Sequence, residues 1–389
     1  MSKSLTKSKI RRKLIAVLKK QGYRVNRRSF SIDADDREAK RRVHSLAKQE
    51  RLKDKKDFIV KNIPVIKQYL IDGTSLDVTK IEPTLIEVVE GSKWATIFRW
   101  WNLVWWSLPY EHAYGRQIRY VVWDRYHKAP IGLIGLQSPI LSWSVRDNYL
   151  NIPWDSRDFW VNQSLNAQRL GALPPYNQVL GGKLISYLVS TDVVRNKFKK
   201  KYTGVKTLIK QRKLPARLLF ITTTGAYGKS SVYTRLKYKE QYVAKFIGYS
   251  HGSGSFHIPN TLFEKLVKFL KPKGYDVRRG FGSGPSRKLR LISQSLQALG
   301  FQNGSDHGIK RAVYLFPFAK NLNDVIQKKA RPKWNHYTIK ELTNYWKVRW
   351  AIPKIQKDIS YREFNGNSFV EETLKSIGSP KMNHKREKD

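Results

Sequence analysis

An α/β fold is what this sequence predicts, with α+β as the alternative, and three observations lead there. Apolar runs of strand length, IRYVVWD (118–124), PIGLIGLQ (130–137) and RLLFITTT (217–224), alternate with a helical pattern from Gly182 to Phe198. Hydrophobic residues make up 40% of the 389, enough for a folded core, and the length exceeds the usual size of one core, so a main body with a smaller attachment is expected. Residues 1–60 hold 20 Lys and Arg against 7 Asp and Glu at helical spacing, which predicts a basic helical N-terminal region before a mixed-sheet core.

Taken in order, RRKLIAVLKK and the charged stretch from Asp35 to Phe58 have few breakers and read as helices of a basic arm. Pro64 kinks or ends that helix, IPVIKQYLID supplies an apolar face, and Asp72-Gly73 marks a turn, so a boundary falls near residue 90. The α/β body spans 91–320. Within it, YVAKFIGYSHGSGSFHI predicts two more short strands around a glycine-rich bend, and Thr261 with Glu264 predicts a capping box at the start of TLFEKLVKFL. From 321 the chain alternates Trp, Tyr and Lys, and its polar last ten or so residues read as disordered.

The formal charge is +45, from 75 Lys and Arg against 30 Asp and Glu, and a compact body of that charge repels itself unless a polyanion neutralises it. Nucleic acid is the favoured partner; solvated lysines, an anionic membrane surface or an acidic protein are the alternatives. The run from 194 to 217, with Lys199, Lys200 and Lys201, is the best phosphate-binding segment, because its lysines recur on more than one helical face and no acid interrupts them. The chain has no cysteine, which excludes disulfides, thiol nucleophiles and Cys-based metal sites. LIAVL is too short for a signal-peptide core, and WATIFRWWNLVWW contains Arg99 and falls short of the ~20 residues that span a bilayer. A cytoplasmic protein without a membrane segment is expected.

Two stretches carry the most information: RLGALPPYNQVLGGKLISYL (169–188) and LLFITTTGAYGKSSVYTRL (218–236). With their PPYN, GGKL and TTTGAYGKSSVY elements, and over about residues 110–320, they resemble the DruA family of the Druantia anti-phage defence system. That resemblance implies a component of a multi-gene defence system acting with other subunits, including a large helicase-like protein; among nucleic acids, DNA is the favoured partner. The spacing Gln178-x-x-Gly181-Gly182 is also loosely similar to the pyrophosphate loop of GNAT-type acyltransferases, with the second glycine one position early, which implies a GNAT-like core with Tyr233 where such enzymes often place an acid. This is analogy at the level of fold.

Read from the residues themselves, Gly181 and Gly182 let backbone amides approach a phosphate at a helix start, or else let helix and strand pack closely. Lys183, Lys229, Ser230, Ser231 and Arg235 fall in the same two motifs as phosphate contacts; the plainer readings are a solvated Lys229 and helix-capping serines. Tyr233 is a catalytic residue or a core tyrosine. Asp147, Asp155 and Asp158 lie together in RDNYLNIPWDSRDFW and can hold a divalent metal for phosphodiester cleavage or form an Arg-Asp network. His251 and His257 flank HGSGSFH and can converge on a metal with Glu111 or His112, or serve as turn histidines; GFGSGPSRKLR (280–290) repeats the glycine theme. Five tryptophans between Trp94 and Trp106 offer base-stacking faces, core packing or a subunit seam. Three functions follow: a nucleic-acid-binding defence protein, an enzyme acting on nucleic acid (a GNAT-like transferase or a metal-dependent nuclease), and a scaffold held through Trp105 and Trp106. The cofactor is left open.

Overall fold

The computed structural model describes residues 6–32, 37–108, 115–208, 210–252, 254, 257–278, 287–302 and 306–378. Its centre is a seven-stranded mixed sheet whose strands are β1 (Pro83–Glu87), β2 (Gln117–Asp124), β3 (Ala129–Gln137), β4 (Ser164–Ala172), β5 (Phe220–Thr224), β6 (Lys245–Tyr249) and β7 (Ala312–Pro317). The spatial order is β6-β7-β5-β4-β3-β2-β1. All neighbours run antiparallel except β4 and β5, which are parallel and pair only from Ser164 with Phe220 to Ala167 with Thr223. The α/β class is therefore the observed one, with a mixed sheet. Every residue of β3 is buried, as its unbroken apolar run requires of a strand covered on both faces.

The longer helices are α1 (Lys7–Lys20), α2 (Arg37–Asp54), α3 (Lys93–Val104), α4 (Gly181–Leu188), α5 (Asp192–Tyr202), α6 (Asn260–Leu270), α7 (Arg287–Ala298), α8 (Ile339–Trp346) and α9 (Gly366–Ser376). One face of the sheet packs on α4, α5 and α8, sharing a core with Ile118, Tyr120 and Val122 of β2. The other face packs on α3 and α9 with Val121 and Leu133. A separate cluster joins α1 and Val43 to α6 and α7 through Leu14, Leu18, Leu266 and Leu296, so α1, Phe30 and Val43 share an apolar core with α6, α7 and Ile309 instead of projecting as an arm. None of the described helices is long and apolar enough to cross a membrane.

Several local expectations change. The helix predicted from Gly182 to Phe198 is two helices, because Thr191 leaves helical geometry (ψ 157) and its hydroxyl donates to the Leu188 carbonyl. No capping box opens α6: the helix already begins at Asn260, so Thr261 sits within its first turn. The charged helical run breaks after Asp54 and again at Asn62, and Pro64 lies in the first turn of the short helix Ile63–Lys67 that follows the second break. Of the strands expected around HGSGSFH, β6 forms before the bend; residues 253, 255 and 256 lie outside the described residues, and His257 leads into α6. Glu111, His112, residues 280–286 of the second glycine motif and the chain end from 379 lie outside the described residues.

Candidate nucleic-acid interface

The PPYN loop is fixed from beneath by one buried carboxylate. Asp124 Oδ1 accepts from the Glu82 and Tyr126 amides at 3.0 and 3.1 Å. Its Oδ2 accepts from Tyr176 Oη at 3.0 Å and meets His127 Nδ1 at 2.6 Å. Because His127 Nε2 accepts the Asp77 amide at 3.0 Å, the ring proton sits on Nδ1 and points at Asp124. Burial alone would raise the Asp124 carboxyl, but the bonds from His127, Glu82 and Tyr176 hold it below the ordinary carboxylate value. This network sets Tyr176, and Tyr176 sets the start of α4: its carbonyl accepts the Gly181 amide at 2.9 Å, and a Cβ on Gly181 would stand 2.5 Å from that same oxygen. Gly182 faces the Val232 side chain, 3.3 Å from where its Cβ would be. Gln178 Oε1 is buried in this loop with no hydrogen-bond partner among the described residues.

Lys183 turns inward. Its Nζ donates to the carbonyls of Ser231, Val232 and Thr234 at 2.8, 3.3 and 3.3 Å and lies 4.2 Å from the Trp350 ring centroid. Burial, then the charges of Arg235 and Arg349, lowers the amine to about 8. The motif lysine thus bonds α4 to the turn that follows β5, with all three donors engaged. In that turn the Ser230 amide donates to Tyr314 Oη at 2.8 Å, Ser230 Oγ accepts the Val232 amide, and Ser231, Lys229 and Arg235 are exposed. Tyr233 is buried, donates to the Leu170 carbonyl at 3.3 Å, and is pushed above its ordinary value by burial. Leu170 lies on β4 beyond its pairing with β5, so Tyr233 fills the gap where the two strands part.

The three aspartates do not face one another as a ligand set. Asp147 accepts from Arg146 Nε at 2.8 Å and from the Trp143 amide, while the fully buried Arg146 also donates to the Ile140 and Leu141 carbonyls. Asp155 is exposed and accepts its neighbour's amide, from Ser156. Asp158 pairs with Lys210 at 3.0 Å and with Arg212. Burial pulls its carboxyl up, but Lys210 and Arg212 hold it below the ordinary value. Among the described residues no group of three or more His, Asp or Glu is placed to hold a metal. His251 is exposed beside Ser144, whereas His257 is buried among Tyr23, Phe30 and His307, with burial and Lys288 lowering it to about 3.

The tryptophan series is mostly core. Trp100 and Trp101 are fully buried on α3, and the indoles of Trp100 and Trp105 donate to the Ile59 and Ala172 carbonyls. Trp106 packs on Gly171 and Arg169. The basic run behaves differently. Lys199 and Lys200 are exposed at the end of α5, Lys201 donates to the Gln117 carbonyl, and the loop after it, closed by a Lys206–Lys213 bridge, carries Lys210 and Arg212. Among the described residues Lys199 and Lys200 have no carboxylate partner within ion-pair distance. What sequence reasoning missed is the Asp124–His127–Tyr176 network and a set of exposed aromatics, Tyr242, Phe246 and Tyr249, on and beside β6.

Comparison with known proteins agrees with the motif reading. The family model described as Druantia protein DruA matches residues 34–328. A curated relative, Druantia protein DruA of Escherichia coli (strain UMEA 4076-1), is 34% identical over 365 residues, covering 92% of this chain and 90% of the relative. No solved structure matches. With both motifs and nearly the whole length aligned, the chain belongs to the DruA family of the Druantia anti-phage defence system.

Proposed function

We propose that this chain is the nucleic-acid-binding member of its defence system, gripping phosphates, of DNA in the first place, and acting in the cytoplasm with a helicase-like partner. The observation that carries the reading is the exposed basic surface of Lys199, Lys200, Lys206 and Lys213, in a chain of net charge +45. A polyanion relieves that self-repulsion, and each duplex phosphate contact releases counterions. The test is binding of the purified protein to single- and double-stranded DNA and RNA across a salt series, with the same samples inspected for strand cleavage with and without Mg²⁺. Affinity should fall by about 0.9 log unit per tenfold salt for each duplex phosphate contact, and Lys199→Glu with Lys200→Glu should flatten the slope. A flat response in the wild type refutes the reading.

A second reading, a GNAT-like core, is favoured by one observation: β4 runs parallel to β5, parts from it after Ala167, and leads into a glycine turn and helix. Tyr233 and Lys183 occupy the parting and the helix start, so an acyl-CoA would have to displace them. Tyr233→Phe with folding and binding intact but defence lost would favour this enzyme reading.

A further inference from the structure

Strand β6 is an outer edge of the sheet, and it keeps large aromatic faces in water: Phe246 is 41% and Tyr249 46% exposed, with Tyr242 just before the strand at 51%. Three residues apart on a regular strand, Phe246 and Tyr249 would point to opposite faces. The register against β7 shifts between Phe246 and Gly248, and the extra residue brings both rings to one side, with centroids 5.2 Å apart at 71°. Gly248 makes this possible, with φ +132 and a Cβ position only 2.7 Å from Val145. The bulge therefore builds a two-ring surface that the strand alone would not have.

Cations stand beside these rings. Lys229, from the GKSS turn, places Nζ 5.1 Å from the Phe246 centroid, and Lys237 places Nζ 4.8 Å from that of Tyr242. Exposed Lys229 has no carboxylate within ion-pair distance among the described residues. Exposed aromatics beside an unpaired lysine are what successive bases and phosphates of one strand require, and a duplex keeps its base faces covered. We infer that β6 is a stacking platform for unpaired bases of single-stranded nucleic acid, with Phe246 and Tyr249 taking base faces and Lys229 a phosphate. The inference rests on the nucleic-acid reading above and adds the strandedness and the place.

The experiment measures anisotropy of a fluorescein-labelled oligothymidylate and of an abasic strand of the same length, with the full chain and its variants. The Phe246→Ala/Tyr249→Ala double variant should bind oligothymidylate about tenfold or more weakly while binding the abasic strand as wild type does. Phe246→Tyr should bind like wild type, and Lys229→Gln should reduce the salt slope by about 0.7. Equal loss on both strands, or no loss on either, overturns the inference, the latter leaving the face to a protein partner. Failure of the wild type to bind any strand at any salt is a separate result, and it removes the nucleic-acid reading itself.

Discussion

Replacing Asp124 by Asn changes one atom and disables half of a buried network. The carboxylate accepts from four donors, the amides of Glu82 and Tyr126 on one oxygen and Tyr176 Oη and His127 Nδ1–H on the other. A carboxamide has one acceptor oxygen, so in either orientation its NH₂ faces two donors. Tautomerisation of His127 gives no escape, because a proton on Nε2 would then face the Asp77 amide. Hydrogen bonds to a charged acceptor contribute about 1.5–3 kcal/mol each, so two lost bonds, less the relief of burying a charge, cost about 3 kcal/mol. Urea unfolding followed by tryptophan fluorescence reads this cost from the midpoint shift, and amide exchange should quicken over 173–181. The wild-type carboxyl is depressed in the fold, so its contribution is present above the ordinary ~3.9 and fades as pH falls below it; the Asp124→Asn variant should lack that dependence. Tyr176→Phe should cost less in the Asp124→Asn background than alone. A variant within about 1 kcal/mol of wild type, below even one charged bond, or equal costs of Tyr176→Phe in both backgrounds, would refute the network as the support of the PPYN loop.

Two further outcomes follow from the α4 junction. Gly181→Ala should destabilise by about 1–3 kcal/mol, since its Cβ meets a backbone oxygen, whereas Gly182→Ala meets only a side chain and should be tolerated; thermal unfolding of the pair checks this, and loss of nucleic-acid binding by a fully stable Gly181→Ala would make that glycine a ligand contact instead. Lys183→Met should change how stability varies with pH. The folded amine titrates at about 8 against an ordinary 10.5, so between those values the folded chain binds fewer protons than the unfolded one, and wild type should gain on the variant as pH rises through that window. Parallel denaturation curves at each pH test it, and a constant difference would refute the inward placement of the lysine.

Much of this protein is local and was legible along the chain. Long apolar runs such as PIGLIGLQ can only be covered strands, the glycine-rich turns mark where strands meet helices, and the two motifs identify the family because backbone-defining residues sit at fixed spacing in them. The net charge, a sum over residues, is fixed whatever the fold, and the proposed polyanion partner rests on it. Tertiary structure decided what depends on distant residues meeting. Lys183 and Tyr233 look like site residues in sequence; in the fold Lys183 on α4 bonds the Ser231 carbonyl 48 residues away in the turn after β5, and Tyr233 bonds the Leu170 carbonyl of β4, 63 residues away. The tryptophans of α3 look like stacking faces until the sheet covers them. Conversely, Phe246 and Tyr249 read as opposite sides of a strand, and only a bulge against β7, more than 60 positions downstream, turns them to one face. Periodicity records what each residue's neighbours in the chain demand, while burial and register are set by partners the chain brings together later, and the exposed surface is what remains once that packing is complete.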